Sequence, residues 1–502
     1  MPGHRDAVTL ALPRLRAVTE LRLDNRYARL PDDFRVPVTP KPLPDARLVH
    51  FNEAVARLLD LDPAEAERAD IAAYLAGNRL PPGAEPVAQR YAGHQFGQYV
   101  PELGDGRAIL LGEVVSEDGA RWDLHLKGGG PTPFSRGFDG RSVLRSAIRE
   151  YLCGEALHAL RVPTTRALGV AVGSEPVQRE VTERAATIIR VAPSHVRFGT
   201  FESFAWRRQP EHLRVLADHV VDTHFPDLAP FPDRYARLLE EVAIRTARLM
   251  AAWQAVGFVH GVMNTDNMSV LGLTLDFGPF AFMEGFIPDF APNHSDPWGR
   301  YAYAQQPAVG EWNVSMLANA MAVLMDRERA QAALDGYAPA YEAAHAARMR
   351  TKLGLRDARP EDADLLAGFL ALLAAERADW TLAWRALGGI TVATGTDTRA
   401  LAAQFTRREA CDAWLADYRA RLVSEGSDDA ERRERMDRVN PQYVLRTHLA
   451  QRAIEAAERD DFSEVDRLFR VLQRPFDMQP GADDYTLPSA DGAAGTSLSC
   501  SS

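Results

Sequence analysis

The chain has 502 residues, 46% hydrophobic and 25% charged, a balance that excludes collagen-like, wholly disordered and disulfide-scaffold proteins and allows about two to four domains or one large two-lobed unit. Lys and Arg number 58 against 69 Asp and Glu, a net charge of −11, which excludes general attraction to nucleic acid or anionic membrane and requires any anion site to be built from a few local basic residues. No apolar run approaches the roughly 18–20 residues of a membrane span, no signal-peptide pattern opens the chain, and three scattered cysteines, Cys153, Cys411 and Cys500, fit a reducing compartment, so the expectation is a cytoplasmic protein with no nucleic-acid or membrane partner.

Prolines crowd Leu30 to Pro44 and predict an extended strap, followed by helical spacing from Asn52 to Leu61. Ala108–Val115 and Trp122–Lys127 read as strands around the turn at Glu117-Asp118-Gly119, a hairpin. Ser142 to Leu160 has the apolar period of a helix buried along one side, stopped by Pro163, with Cys153-Gly154 expected to interrupt it. Thr187–Ala192 is strand-like, and Tyr235–Ala255 is a long amphipathic helix ending at Gly257. Met268–Leu271 and Leu273–Leu275 look like a second, smaller hairpin, the stretch to about Arg474 is helical, and Gln479–Ser502 reads as a polar, mobile tail.

The order predicts an α+β chain with the two lobes of a protein kinase. Residues 1–80 would form a strap with helices, 81–205 the nucleotide-binding lobe, 206–345 the catalytic and metal-binding lobe, 346–477 a helical extension and 478–502 the tail.

Alternation along Trp122–Lys127 puts Asp123, His125 and Lys127 on the face opposite Leu124 and Leu126, so Lys127 can point into a cleft. Glu150, downstream on the helix, sits where a kinase carries the glutamate that pairs with its strand lysine. Gly104-Asp105-Gly106-Arg107 precedes the first strand and offers backbone N–H groups to phosphate, although a plain turn has the same composition. His260-Gly261-Val262-Met263-Asn264-Thr265-Asp266-Asn267, followed by Asp276-Phe277-Gly278, copies the spacing of the kinase catalytic loop and its metal-binding Asp, with one change: Val262 stands where the proton-accepting Asp belongs. Asp266, beside Asn267, is the carboxylate that can enter the same cleft. Arg190 and Arg197 are candidates for a clamp on polyphosphate, with surface ion pairing the alternative. His94, His125 and His195 lack zinc-site spacing and read as structural or rim residues.

The chain also resembles the selenoprotein O family of kinase-like protein adenylyltransferases. The likeness runs from Gly77-Asn78 through Pro279. It is carried by Tyr91-Ala92-Gly93-His94-Gln95-Phe96-Gly97, Leu103-Gly104-Asp105-Gly106-Arg107, Lys127-Gly128-Gly129-Gly130-Pro131-Thr132-Pro133, Asp139-Gly140-Arg141, Arg149-Glu150 and Asn264-Thr265-Asp266-Asn267-Met268-Ser269, with weaker likeness through Asn440-Pro441-Gln442-Tyr443 to a Cys500-Ser501-Ser502 terminus. The resemblance implies that Gly104, Gly106, Arg107, Lys127, Asp139, Gly140, Arg190, Arg197 and Asp276 bind ATP. It further implies that Glu150 supports Lys127, that Asp266 accepts the proton, and that Asn267 and Asp276 hold Mg²⁺ or Mn²⁺. It also implies that ATP lies end for end relative to a kinase, so that AMP passes to a Ser, Thr or Tyr hydroxyl of a protein and pyrophosphate leaves, with UMP transfer from UTP as a second donor chemistry. From the residues alone, γ-phosphoryl transfer by a kinase and a non-catalytic nucleotide scaffold stay open. So does the role of Cys500, either a free thiol or a redox contact with Cys153 or Cys411. Target proteins and oligomeric state are not written in the sequence.

Overall fold

The computed structural model describes residues 14–394 and 397–490. Its first lobe is a nine-stranded antiparallel sheet in the order β2-β4-β7-β8-β11-β10-β3, with β1 added to β7 and β9 to β11. These strands are β1 (Leu23–Asp24), β2 (Arg35–Pro37), β3 (Arg47–Phe51), β4 (Val87–Gln89), β7 (Ala108–Val115), β8 (Arg121–Lys127), β9 (Ser142–Val143), β10 (Arg166–Gln178) and β11 (Thr182–Ala192). A separate two-stranded hairpin, β5 (Gly93–Gln95) with β6 (Gln98–Val100), leaves the sheet towards the second lobe.

The period of two in β7 and β8 sorts their side chains between two cores. Ile109, Leu111, Leu124 and Leu126 join Val55 of α1 (Glu53–Leu58) and Ile71 and Leu75 of α2 (Ile71–Leu75) on one face. Leu110 and Ile188 face α3 (Leu144–Ala159) on the other, in a core that continues through the second lobe. That lobe holds α4 (Phe198–Trp206), α5 (Pro210–His224), α6 (Arg234–Val256), a pair of short strands β12 (Phe258–Val259) and β13 (Ala281–Phe282), and ten further helices among the described residues, from α7 (Gln306–Met321) to α16 (Ser463–Gln473). α6 stops at Gly257, whose φ of +70° is the left-handed cap that glycine supplies. The last helix returns to the first lobe: Phe469 of α16 stacks on Tyr151 of α3 with ring centroids 5.2 Å apart. No helix among the described residues is long and apolar enough to cross a membrane.

The α+β expectation, the hairpin around 116–120 and the helices at 144–159 and 234–256 match the structure. Three expectations need correction. The segment 268–275 forms no strand hairpin; its residues make single bridges, Ser269 to Arg197 and Thr274 to Thr164, because one packs against the residue that caps α4 and the other against the chain entering β10. α3 runs unbroken through Cys153-Gly154. A side chain at 154 would bring a Cβ to 2.9 Å from the Thr165 carbonyl, so this glycine lets the helix close on β10 rather than ending it. The tail is packed as far as it is described: Gln479, Ala482 and Tyr485 are buried, and Tyr485 donates to Glu464 at 2.9 Å. Cys500 lies outside the described residues.

Candidate active site

A cleft of about 730 Å³ separates the lobes and is lined by Gly104, Gly106, Arg107, Lys127, Asp139, Gly140, Arg190, Arg197, Asp266, Asn267 and Asp276. Glu150 stands behind this wall. Lys127 closes β8, and its Nζ donates to Glu150 Oε2 at 2.5 Å; Arg190, on the neighbouring strand β11, reaches the same carboxylate. Burial would raise the Glu150 carboxyl, but Arg190 and Lys127 outweigh it and hold it at about 2. Burial, with Arg190 and Arg107 nearby, lowers Lys127 to about 8 despite Glu150, so both partners stay charged at neutral pH.

Asp276 is the electrostatic centre. Its Oδ1 accepts from Arg190 at 2.7 Å and its Oδ2 from Arg197. Both guanidiniums are buried, and although burial opposes ionisation, Arg190, Arg197 and Lys127 keep the Asp276 carboxyl well below the usual range. Its backbone φ of +58° is a strained conformation for a residue with a Cβ. The turn is held from behind by His260, whose buried ring pairs with the Leu275 carbonyl at 2.9 Å and stacks on Trp253.

Asp266 differs from Asp276 in every respect. Gln95 Nε2 of the β5–β6 hairpin donates to its Oδ2 at 3.1 Å, and among the described residues its buried Oδ1 has no partner and no cation pairs with its carboxylate. Burial pushes it up to about 7, with Gln95 and Arg197 opposing and Asp276 adding. The loop is braced by Thr265, which donates to Glu202 at 2.6 Å and accepts from the His94 N–H at 2.7 Å. His94 therefore lies against the loop that carries Asp266. His125 and His195 are buried, stacked 4.4 Å apart and paired with Asp105 and Asp123, so the Asp105 carboxylate anchors the Gly104–Arg107 turn, which lines the cleft, through His125.

Asn267 Nδ2 donates to the Val262 carbonyl at 2.9 Å, which commits the amide nitrogen and leaves Oδ1 as an available oxygen ligand. Among the described residues no three His, Cys, Asp or Glu side chains gather to hold a metal. One amide oxygen and one carboxylate are what a divalent cation needs when substrate phosphates and water complete its shell, so Asn267 and Asp276 fit Mg²⁺ or Mn²⁺ carried in with a nucleotide.

At the mouth, Asp139 pairs with Arg179 at 2.7 and 3.0 Å and accepts from the Arg141 N–H at 2.8 Å. Gly140 has φ +66°, and a Cβ there would meet the Gly130 carbonyl oxygen at 2.1 Å. Gly140→Ala should strain this loop by roughly 1–3 kcal/mol and raise the nucleotide KM roughly tenfold to a hundredfold with little change in kcat, which steady-state kinetics will read. Sequence reasoning gave no role to Arg179 or Gln95. Gln95 sat inside a quoted motif, whereas Arg179 is one arginine among many in a turn and carried no signal.

The family described as protein adenylyltransferase SelO matches residues 17–473. Relatives include the protein nucleotidyltransferase YdiU of Myxococcus xanthus, 56% identical over 483 residues, covering 96% of this chain and 99% of that one. Those of Thioalkalivibrio sulfidiphilus and Thiobacillus denitrificans are 52% and 50% identical, each again covering 96% of this chain and 99% of the relative. A solved kinase-fold protein of Toxoplasma gondii, ROP2, overlaps 66% of this chain and 87% of its own at 13% identity with a TM-score of 0.23, too slight to bear on the fold. The chain belongs to the SelO family of protein adenylyltransferases.

Proposed function

We propose that this nucleotidyltransferase moves AMP from ATP to a Ser, Thr or Tyr hydroxyl of a protein, with ATP lying so that its α-phosphorus faces Asp266. The observation that carries this reading is the contrast between two carboxylates in one cleft: Asp276 is gripped by Arg190 and Arg197, while among the described residues Asp266 has no cation partner and one of its oxygens has no hydrogen bond. Two acids in environments that push their protonation apart divide the labour of acid–base chemistry. Asp266 takes the hydroxyl proton as the oxygen attacks the α-phosphorus; the α–β phosphoanhydride bond breaks and pyrophosphate departs. Lys127, Arg190 and Arg197 stand where charge grows on the departing group, preorganised and partly shielded from water, where such contacts act most strongly. Asn267 and Asp276 would hold Mg²⁺ or Mn²⁺, which when bound supplies further neutralisation of phosphate charge. UTP presents the same triphosphate to these residues and is the second donor. Two buried, unbridged cysteines, Cys153 and Cys411, support a reducing, cytoplasmic setting.

Incubation with α-labelled and, separately, γ-labelled ATP tests the proposal. Label retained only from the α position is expected; retention only from γ would make the chain a kinase, and retention from neither a scaffold. The pH profile adds a second check. The proton acceptor must be ionised, so kcat/KM should climb as pH rises through about 7, the value burial gives Asp266, and level off above. A fall across that window would contradict the assignment.

A further inference from the structure

Glu150 and Arg149 are neighbours on α3, and one helical step turns them about 100° apart. Glu150 turns to the back wall of the cleft, where Lys127 and Arg190 hold it. Arg149 turns to the chain just beyond Asp276: its Nη2 donates to the Phe280 carbonyl at 3.0 Å, and its guanidinium carbon lies 4.6 Å from the centre of the Phe280 ring. Arg149 is 5% exposed. No carboxylate among the described residues pairs with it, and its Nε has no acceptor. Burial pushes its guanidinium down to about 10. A buried cation without a counter-ion is unfavourable, and an apolar side chain of similar length would fill the same space at less cost. What the arginine adds is a directed link. α3 grips Asp276 from one side through Glu150 and Arg190, and from the other through Arg149 and Phe280, four residues on. Helix, strand and loop thus form a closed ring.

We propose that Arg149 is a positioning residue for nucleotidyl transfer: it fastens the main chain after Asp276 to α3, so that the Lys127–Glu150 pair and the Asp276 carboxylate meet the phosphates in one fixed register. Arg149 touches neither nucleotide nor hydroxyl and acts through Phe280. The inference rests on the reading of Asp276 as a phosphate- and cation-binding carboxylate.

The test compares the full-length wild type with Arg149→Met and Arg149→Lys, by α-label transfer kinetics and by hydrogen–deuterium exchange of the nucleotide-free protein. Arg149→Met should lower kcat about 100-fold, the scale of a misplacement of about 1 Å in a catalytic constellation, while KM for ATP changes only a few-fold. Exchange should rise over residues 276–283 and stay unchanged over α6. Lysine can still donate to the Phe280 carbonyl and sit over its ring, so Arg149→Lys should recover most of kcat. Wild-type kcat in Arg149→Met would overturn the proposal. So would a loss matched by exchange rising equally over α6 with lysine no better than methionine, which marks a merely structural residue. If Arg149→Met does not fold, Phe280→Leu decides: it keeps the carbonyl and removes the ring, and should raise exchange over 276–283 with a smaller loss of kcat, whereas unchanged kcat and exchange would refute the clamp. A wild type that transfers no α-label would end the functional reading, while the exchange comparison would still read the clamp.

Discussion

Asp276→Ala is expected to silence transfer and to weaken the fold together. Each Asp276 oxygen accepts from a buried guanidinium, Arg190 at 2.7 Å and Arg197, and keeps a second lone pair. Removing one preorganised charge from such a site costs roughly 10²–10³ in rate, and here the lost group is also, among the described residues, the only carboxylate that binds both arginines. Breaking a buried ion pair by deleting one partner costs roughly 3–5 kcal/mol. The lower end is expected, because Arg190 keeps Glu150 and Arg197 keeps the Asp266 carbonyl at 2.8 Å and the Tyr91 ring. Turnover with α-labelled ATP and a thermal melt of the same preparation read the two effects separately; full activity would remove Asp276 from the site.

Asp266→Asn should separate what Asp276→Ala joins. The amide has the size of the carboxylate but cannot take a proton, so transfer should fall by roughly 10²–10⁴, the usual contribution of a general base, while nucleotide affinity stays near that of the wild type. Stability should move the other way. Folding raises the Asp266 carboxyl from 3.8 to about 7, so its ionised form is disfavoured in the folded state. The resulting destabilisation is absent below pH 3.8, grows as pH rises towards 7 and is constant above. Asp266→Asn removes it and should melt higher than the wild type at pH 8, by an amount on the order of a few kcal/mol or less. A variant that is both inactive and less stable at that pH would show that Asp266 is a structural carboxylate.

Much of this site was legible because kinase-like chemistry fixes spacing along the chain. Strand alternation placed Lys127 in the cleft, the distance along the chain placed Glu150 as its partner, and the interval from His260 to Asp276 gave the loops that carry Asp266, Asn267 and Asp276. The carboxylate we propose as the base was legible too, since Val262 cannot take a proton and Asp266 is adjacent to Asn267. Long-range contacts were not. Gln95 reaches Asp266 across 171 positions and Arg179 reaches Asp139 across 40, and neither distance leaves a period. The segment 268–275 looked like a hairpin because short apolar runs around glycine suit strands, yet tertiary contacts with Thr164 and Arg197 claimed its backbone. The tail looked mobile from composition, but Tyr485 and Ala482 found a place in the main core, which composition alone does not record. Arg149 stands in the Arg149-Glu150 pair that carries the family likeness, yet its role was not legible, because its partner is a backbone carbonyl 131 positions away.

The orientation of the triphosphate is tested most directly by a crystal structure of the wild type with a non-hydrolysable ATP analogue and Mg²⁺. The α-phosphorus beside Asp266, with the outer phosphates against Arg190 and Arg197, is the expected result. The γ-phosphate beside Asp266, with the purine turned inward against those arginines, would contradict adenylyl transfer and leave a kinase in its place.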